Sequence, residues 1–175
     1  MEQPQYNMLT RDKVEKEFHE LYSRHGMGLT TFSPLKLGVL SGKYNGTTIP
    51  ADSRFGEANK SADPFISFFR EKFENDAEMK RNLATTQKIG EIAKELEVPQ
   101  AQLAIAWALK NKNVSTVITG ASRPEQVVQN IGAIAVVDKL TPEIMERIEE
   151  ALGNAPVREQ LRYGVPPESL GVLRS

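Results

Sequence analysis

The sequence predicts an α/β fold with parallel strands, and three observations carry that prediction. Two stretches rich in β-branched and aromatic residues, Gly28–Ser33 and Val114–Thr119, favour extended backbone, and a third candidate is Gln3–Leu9. Segments with an apolar repeat of helical period separate them. The element order is strand, helix, strand, long loop, three helices, strand and two helices, an alternation that pairs strands in parallel through right-handed crossovers.

Taken in order, Gln3–Leu9 holds Tyr6, Met8 and Leu9 as its apolar residues and reads as a strand or a frayed start. Thr10 or Asp12 can cap the following helix, where Val14, Phe18, Leu21 and Tyr22 repeat at i, i+4, i+7 and i+8. Gly26 and Gly28 end it, Gly28–Ser33 is the next strand, and Pro34 stops that strand. Leu35–Tyr44 reads as a loop or short helical turn, and Asn45–Asp63 is a long irregular loop, a type more often functional than filler. Asp63-Pro64 opens a helix with Phe65, Phe68, Phe69 and Phe73 on one face. Asn75 or Asp76 caps the next, whose buried stripe is Ile89, Ile92, Ala93 and Leu96. Pro99 starts AQLAIAWALKN, apolar all round and therefore expected between layers. Thr141-Pro142-Glu143 caps a last helix with Ile144, Met145, Ile148 and Leu152 on one face and Gly153 at its end.

The most informative stretch is Val114–Asn130. Its strand turns through Gly120-Ala121 into a helix start at Ser122-Arg123-Pro124-Glu125. Ser122 and Glu125 have capping-box spacing, Pro124 sits in the first turn, and Val127, Val128 and Ile131 supply an apolar face. Such a turn aims backbone N–H groups outward with the helix dipole behind them, a place where a phosphate can bind. Arg123 adds a permanent cation with a planar fork of donors. Any α/β protein has strand-to-helix turns, so this motif alone is more often a plain helix start than a phosphate site.

Composition bounds the rest. At 175 residues the chain can bury one core but falls short of the ~250 typical of a closed (β/α)₈ barrel. Lys plus Arg, 22, nearly balances Asp plus Glu, 23, so no global field argues for nucleic acid. Cysteine is absent, which removes disulfides, thiolate nucleophiles and cysteine-ligated zinc. No apolar run approaches the ~20 residues of a membrane span, and the N-terminus lacks a signal-peptide pattern, so no membrane insertion and a cytoplasmic location are expected.

Several stretches, EQPQYN, TTFSPLKLGVLSGKY, IPADSRF, QLAIAWALKN and VITGASRPEQVVQNIGAI, followed by TPEIMERIEEALGN, carry a resemblance. Over Glu2 to about Asn154 the chain resembles the C-terminal part of the aldo-keto reductases, nearest the potassium-channel β-subunit branch and its fungal and bacterial relatives. The resemblance implies the last portion of a (β/α)₈ TIM barrel, with Gln3–Leu9, Gly28–Ser33 and Val114–Thr119 as strands six to eight. Residues 1–154 would form a partial NADP-dependent oxidoreductase domain, and Ala155–Ser175 a tail.

By the same resemblance the cofactor is NADP(H). Gln3 would hydrogen-bond the nicotinamide carboxamide, and Phe32 would stack on its ring. Ser33, Pro34, Leu35, Lys36 and Leu37 would wrap the pyrophosphate, with Lys43 and Arg54 clamping it from the long loop. Gly120, Ser122, Arg123, Gln126, Gln129 and Asn130 would hold the adenosine end, Ser122 and Arg123 facing the 2′-phosphate. Gln129 departs from the Glu that related channel β subunits tend to carry. Taken singly, Phe32 can be a core aromatic and Lys43 and Arg54 solvated loop charges; their occurrence together in family order carries the reading.

The family's acid–base set of Asp, Tyr, Lys and His lies in its first four strands, and none of those motifs occurs here. His19 and His25 match no catalytic position. The implied activity is hydride transfer between NADPH and an aldehyde or ketone, with this chain alone inactive. Two alternatives stand beside it: a redox-sensing regulatory subunit like the channel β subunits, tetrameric and channel-associated by family, and a truncated product without function.

Overall fold

A computed structural model describes residues 1–46, 49–56 and 64–157. Its sheet pairs β1 (Leu29–Phe32) in parallel with β2 (Val114–Ile118), with Phe32 opposite Ile118 and a register irregularity after Leu29. Both strands fall inside the predicted stretches.

Gln3–Leu9 is a correction: it runs parallel to β1 but joins it only at isolated bridges, Glu2 to Leu29 and Gln5 to Phe32. The cause is in the sequence. Thr30 N–H donates to Glu2 O at 3.0 Å, Phe32 N–H to Pro4 O at 3.1 Å, and Tyr6 N–H to Phe32 O at 3.2 Å. The rung between these belongs to the backbone nitrogen of Pro4, which has no hydrogen to donate.

The first helix also departs from expectation. Lys13–Glu17 forms a wide π turn and α1 begins only at His19, running to His25. Neither predicted cap is made: Asp12 stands at the N-cap without a side-chain bond, and the Thr10 hydroxyl instead accepts from Lys36 Nζ at 2.8 Å. The segment is anchored by Arg11, buried, whose guanidinium forks onto Glu15 (2.9 and 2.7 Å) and also donates to Glu149 (2.7 Å) and Asn154 (3.1 Å). It lies 5.2 Å from the Trp107 ring centre.

A 3₁₀ segment, Lys36–Ser41, follows β1, and then come α2 (Pro64–Asn75), α3 (Ala77–Glu95) and α4 (Gln100–Lys110). Asp76 caps α3 by accepting from Met79 N–H at 2.8 Å. In α4 every residue from Leu103 to Ala108 is buried, as its uniform apolarity predicts, because it lies between the sheet and α6. After β2 come α5 (Pro124–Ile131), α6 (Ala133–Val136), a 3₁₀ turn (Val137–Lys139) and α7 (Pro142–Leu152), capped by Thr141 and ended by left-handed Gly153.

The main core joins Tyr6, Met8, Leu29, Ile89, Leu103, Trp107 and Ile148; a smaller aromatic cluster joins Tyr44, Phe55 of the long loop and Phe73 of α2. Along β1, Leu29 and Thr31 are buried toward the helices while Phe32 is 43% exposed on the opposite face. The sheet is therefore covered on one side, with Phe32 and Ile118 side by side on the other. On α5 the expected apolar face is present but uncovered: Val127, Val128 and Ile131 are exposed, and the helix turns Asn130 inward. Of the predicted tail, only Ala155–Val157 lies within the described residues, without regular structure. Thr47, Thr48, Glu57–Asp63 and residues 158–175 lie outside them.

Candidate functional site

Three of the four non-glycine residues with positive φ among the described residues lie just after β1. Ser33 (φ 57°), Lys36 (φ 43°) and Leu37 (φ 57°) all adopt the left-handed region, followed by Gly38 at φ 93°. Each non-glycine residue held there costs on the order of 1 kcal/mol or more, and such residues cluster at ligand clamps. The loop closes on itself through Lys36 N–H to Ser33 O (3.1 Å) and Gly38 N–H to Leu35 O (2.9 Å). Pro34 is buried beneath it. Asn7, fully buried, donates from Nδ2 to Ser33 O at 2.9 Å and accepts from Leu9 N–H at 3.0 Å, so the first segment holds the loop's start. Sequence reading missed Asn7 and Thr10 as supports, because nothing in a short mixed segment indicates which loop it will grip.

Lys43 folds back over this loop. A Cβ on Gly38 would come within 2.7 Å of Lys43 Nζ, so the absence of a side chain at 38 is what lets the ammonium lie there. The Lys43 pKa is lowered, first by desolvation and then by the positive charges of Arg54 and Arg123, with Asp52 opposing. Three predicted cations from three separate segments therefore share one neighbourhood. Like charges within one another's field raise the free energy of the empty site, and a bound polyanion relieves that cost.

At the start of α5 the capping box does not form. The helix begins at Pro124, which puts Arg123 at the N-cap and Ser122 one residue too early. Gln126 fills in, its Oε1 accepting from Ser122 N–H (2.8 Å) and from Ser122 Oγ (3.2 Å). Gly120, Ser122 and Arg123 are exposed, Asn130 is buried, and the Gln129 backbone carbonyl accepts from Gln102 Nε2 at 2.8 Å while its side chain is exposed. Gln3 is exposed; the burial of Pro4 and Tyr6 puts it, by strand alternation, on the open face that Phe32 shares. The geometry thus brings Lys43 onto the Ser33–Leu37 loop, with Arg54 and Arg123 acting on it through their charge; for Gln3, Gly120 and Gln129 it gives accessibility.

A cavity of about 210 Å³ opens beside the same loop, lined by Gln5, Lys36, Leu37, Phe55, Phe69 and Lys72 among others. It shares Lys36 and Leu37 with the predicted loop but neither Lys43, Arg54 nor Arg123 lines it. Among the described residues no cluster of three metal-ligating side chains occurs, and no helix is long and apolar enough to cross a membrane.

Residues 1–152 match the profile of the Aldo/keto reductase family. The chain is 45% identical over 160 residues to a probable voltage-gated potassium channel subunit beta from Arabidopsis thaliana, covering 91% of the chain and 46% of that protein. The counterpart from Oryza sativa subsp. japonica matches at the same identity and coverage, and a putative one from Schizosaccharomyces pombe at 44%, over 92% and 44%. The chain therefore spans about half the length of these relatives. The glycerol dehydrogenase AKR11B4 from Gluconobacter oxydans shares its fold, with TM-score 0.56 and 23% identity over 89% of this chain and 43% of that one.

Proposed function

Because this chain belongs to the aldo/keto reductase family, we propose that it is the NADPH-holding portion of a carbonyl reductase. The observation that carries the reading is the left-handed Ser33–Leu37 loop with Lys43 lying over Gly38 at its end, its ammonium within the field of Arg54 and Arg123. The donor set suits a phosphorylated dinucleotide: backbone N–H groups on a strained loop, flexible ammonium and guanidinium cations, and an exposed aromatic at the end of β1. In this reading Lys43 and Arg54 neutralise the pyrophosphate, Ser122 and Arg123 take the 2′-phosphate, Gln126, Gln129 and Asn130 the adenine side, and Phe32 and Gln3 orient the nicotinamide. When bound, that ring supplies hydride to an aldehyde or ketone.

Proton supply is a separate matter. Carbonyl reduction needs an acid of tuned pKa at the oxygen. His25 is exposed and His19 half-buried on α1, and neither is among the groups around Lys43. We therefore propose that the chain by itself binds the cofactor without turning over. A second reading, a regulatory subunit that senses nicotinamide redox state beside a channel, is favoured by the names of the relatives at 44–45% identity.

Titrating the purified chain with NADPH, followed by nicotinamide fluorescence, tests this. Saturable binding is expected, and Lys43→Ala, Arg54→Ala and Arg123→Ala should each weaken it about tenfold or more, since a charge-assisted bond contributes roughly 1.5–3 kcal/mol. NADPH consumption with a model aldehyde should stay at the blank rate. Absence of saturable binding, or a triple variant binding as tightly as the parent, sinks the proposal.

A further inference from the structure

Lys43 is carried by one tight turn: Asn45 N–H donates to Gly42 O at 3.1 Å, leaving Lys43 and Tyr44 at its two central positions. Tyr44 is buried in the smaller aromatic cluster, and its ring centre lies 4.9 Å from the Lys43 ammonium. Both ends of this turn rest on a single side chain. Gln100, the first residue of α4, accepts at Oε1 from Asn45 Nδ2 at 2.8 Å. The same oxygen lies against Gly42, where a Cβ would come within 2.7 Å of it. Gln100 Nε2 donates to Thr86 O of α3 at 2.9 Å, which fixes the carboxamide in one orientation. Asn45 Oδ1 is buried with no partner among the described residues, so the Asn45 side chain holds the fold through Gln100 alone. Gly90 of α3 makes the room: a Cβ there would stand 2.8 Å from both Asn45 Nδ2 and Gln100 Oε1.

We propose that Gln100 is a positioning residue for the cofactor clamp: it acts through Lys43, by holding the turn that carries the ammonium over the end of the Ser33–Leu37 loop. This rests on the dinucleotide reading given above. The physical reason is the cost of ordering. Lys43 has a long flexible stem, and a turn free to carry it elsewhere would have to be fixed each time a diphosphate binds. A carboxamide offers the two groups the task needs, an acceptor for Asn45 and a donor for a helix carbonyl; a carboxylate in its place would keep the first and lose the second. With the turn fixed beforehand to α3 and α4, the ammonium is in place when the cofactor arrives. Loss of that support should appear chiefly as faster release, as most changes in affinity do.

Stopped-flow release of NADPH from the chain reads this. Gln100→Met, similar in length but without an amide, should speed release about threefold to tenfold, the range one buried hydrogen bond commands. Gly90→Ala is the second variant. Its Cβ pushes the two amide ends apart from inside a helix, where alanine is the better residue. Release should quicken by a similar factor while the melting temperature holds or rises, a pairing that a merely structural role would not give. Combined with Lys43→Met, neither change should speed release further, because its route to the cofactor is gone; independent effects would multiply. A parent that binds no NADPH sinks the dinucleotide reading and this inference with it. A parent that binds while either variant releases at the parental rate, or a double variant whose factors multiply, overturns this inference alone.

Discussion

Replacing Arg11 by methionine keeps the length of the aliphatic stem and removes the charged fork. Arg11 is 7% exposed and its carboxylate partners are only partly covered, Glu15 at 22% and Glu149 at 35%. Burial alone would lower the guanidinium pKa, but the bonds to Glu15 and Glu149 outweigh it and the net shift is upward, which means the pairing is favourable in place. Breaking a fully buried pair costs about 3–5 kcal/mol because the abandoned charge stays desolvated. Here water can reach both carboxylates and recover part of that. The cation–π contact to Trp107 adds about 0.5–1 kcal/mol. The expected loss is therefore about 3 kcal/mol, a large share of the stability of a domain this size. Trp107 is the sole tryptophan and lies under the mutated side chain, so urea unfolding followed by its fluorescence reads the change directly. Arg11→Lys should lose less, retaining charge but not the fork. A loss below about 1 kcal/mol, the scale of exposed pairs, would refute the view that this network ties the first segment to α7.

Alkaline pH tests the phenols around the same network. Tyr22 is pushed from 10.0 up to about 12 by burial and by the charge of Glu15, and Tyr6 is raised by burial first and Glu15 second. A group whose pKa is raised on folding contributes stability that is complete below its unfolded value and lost as pH climbs through the folded one. Stability should hold to about pH 10 and fall between there and about pH 12, with Tyr22→Phe flattening part of the slope; pH-stepped urea midpoints that stay level would contradict this. Gly56 is a second test: a Cβ there would collide with the backbone carbonyls of Pro50 and Ala51. Gly56→Ala should cost about 1–3 kcal/mol, seen as a lower melting temperature, and a neutral result would mean that turn is differently built. Inorganic pyrophosphate should raise the melting temperature by neutralising the Lys43 neighbourhood, and Lys43→Met should remove most of that gain while leaving the apo protein at least as stable.

Sequence patterns led to the strands and most helices because each depends on local chemistry: β-branched runs for β1 and β2, Asp76 three residues before a free N–H, Thr141 ahead of Pro142. They failed where two local signals compete. Ser122 has capping-box spacing, but Pro124 at the first helical position moves the boundary and hands the role to Gln126. The period of Val127, Val128 and Ile131 correctly marks a stripe, yet period does not say what covers it. In the site, the residues came from resemblance, whereas their arrangement did not. Left-handed backbone at Ser33, Lys36 and Leu37 carries no glycine signature, and the influence of Arg54 and Arg123 on Lys43 arises only from the tertiary fold. The cavity beside the loop follows partly from the phenylalanine stripe of α2, but its polar wall of Gln5 and Lys36 was hidden in unrelated segments.

The proline at position 4 has a dynamic consequence. With its rung missing, the opening segment is stitched to β1 in two short lengths, one at Glu2 and one around Tyr6, instead of by a continuous zipper. Each length can come undone for the few hydrogen bonds it holds, without disturbing the packed layer behind. Amide exchange at Thr30, bonded to the outer stitch, should therefore run through small, frequent openings, while Leu29, bonded to Asn113 on the other side, waits for larger ones. Gln3 lies between the two stitches and shares that freedom, on a ribbon able to lift and resettle while the core stays closed.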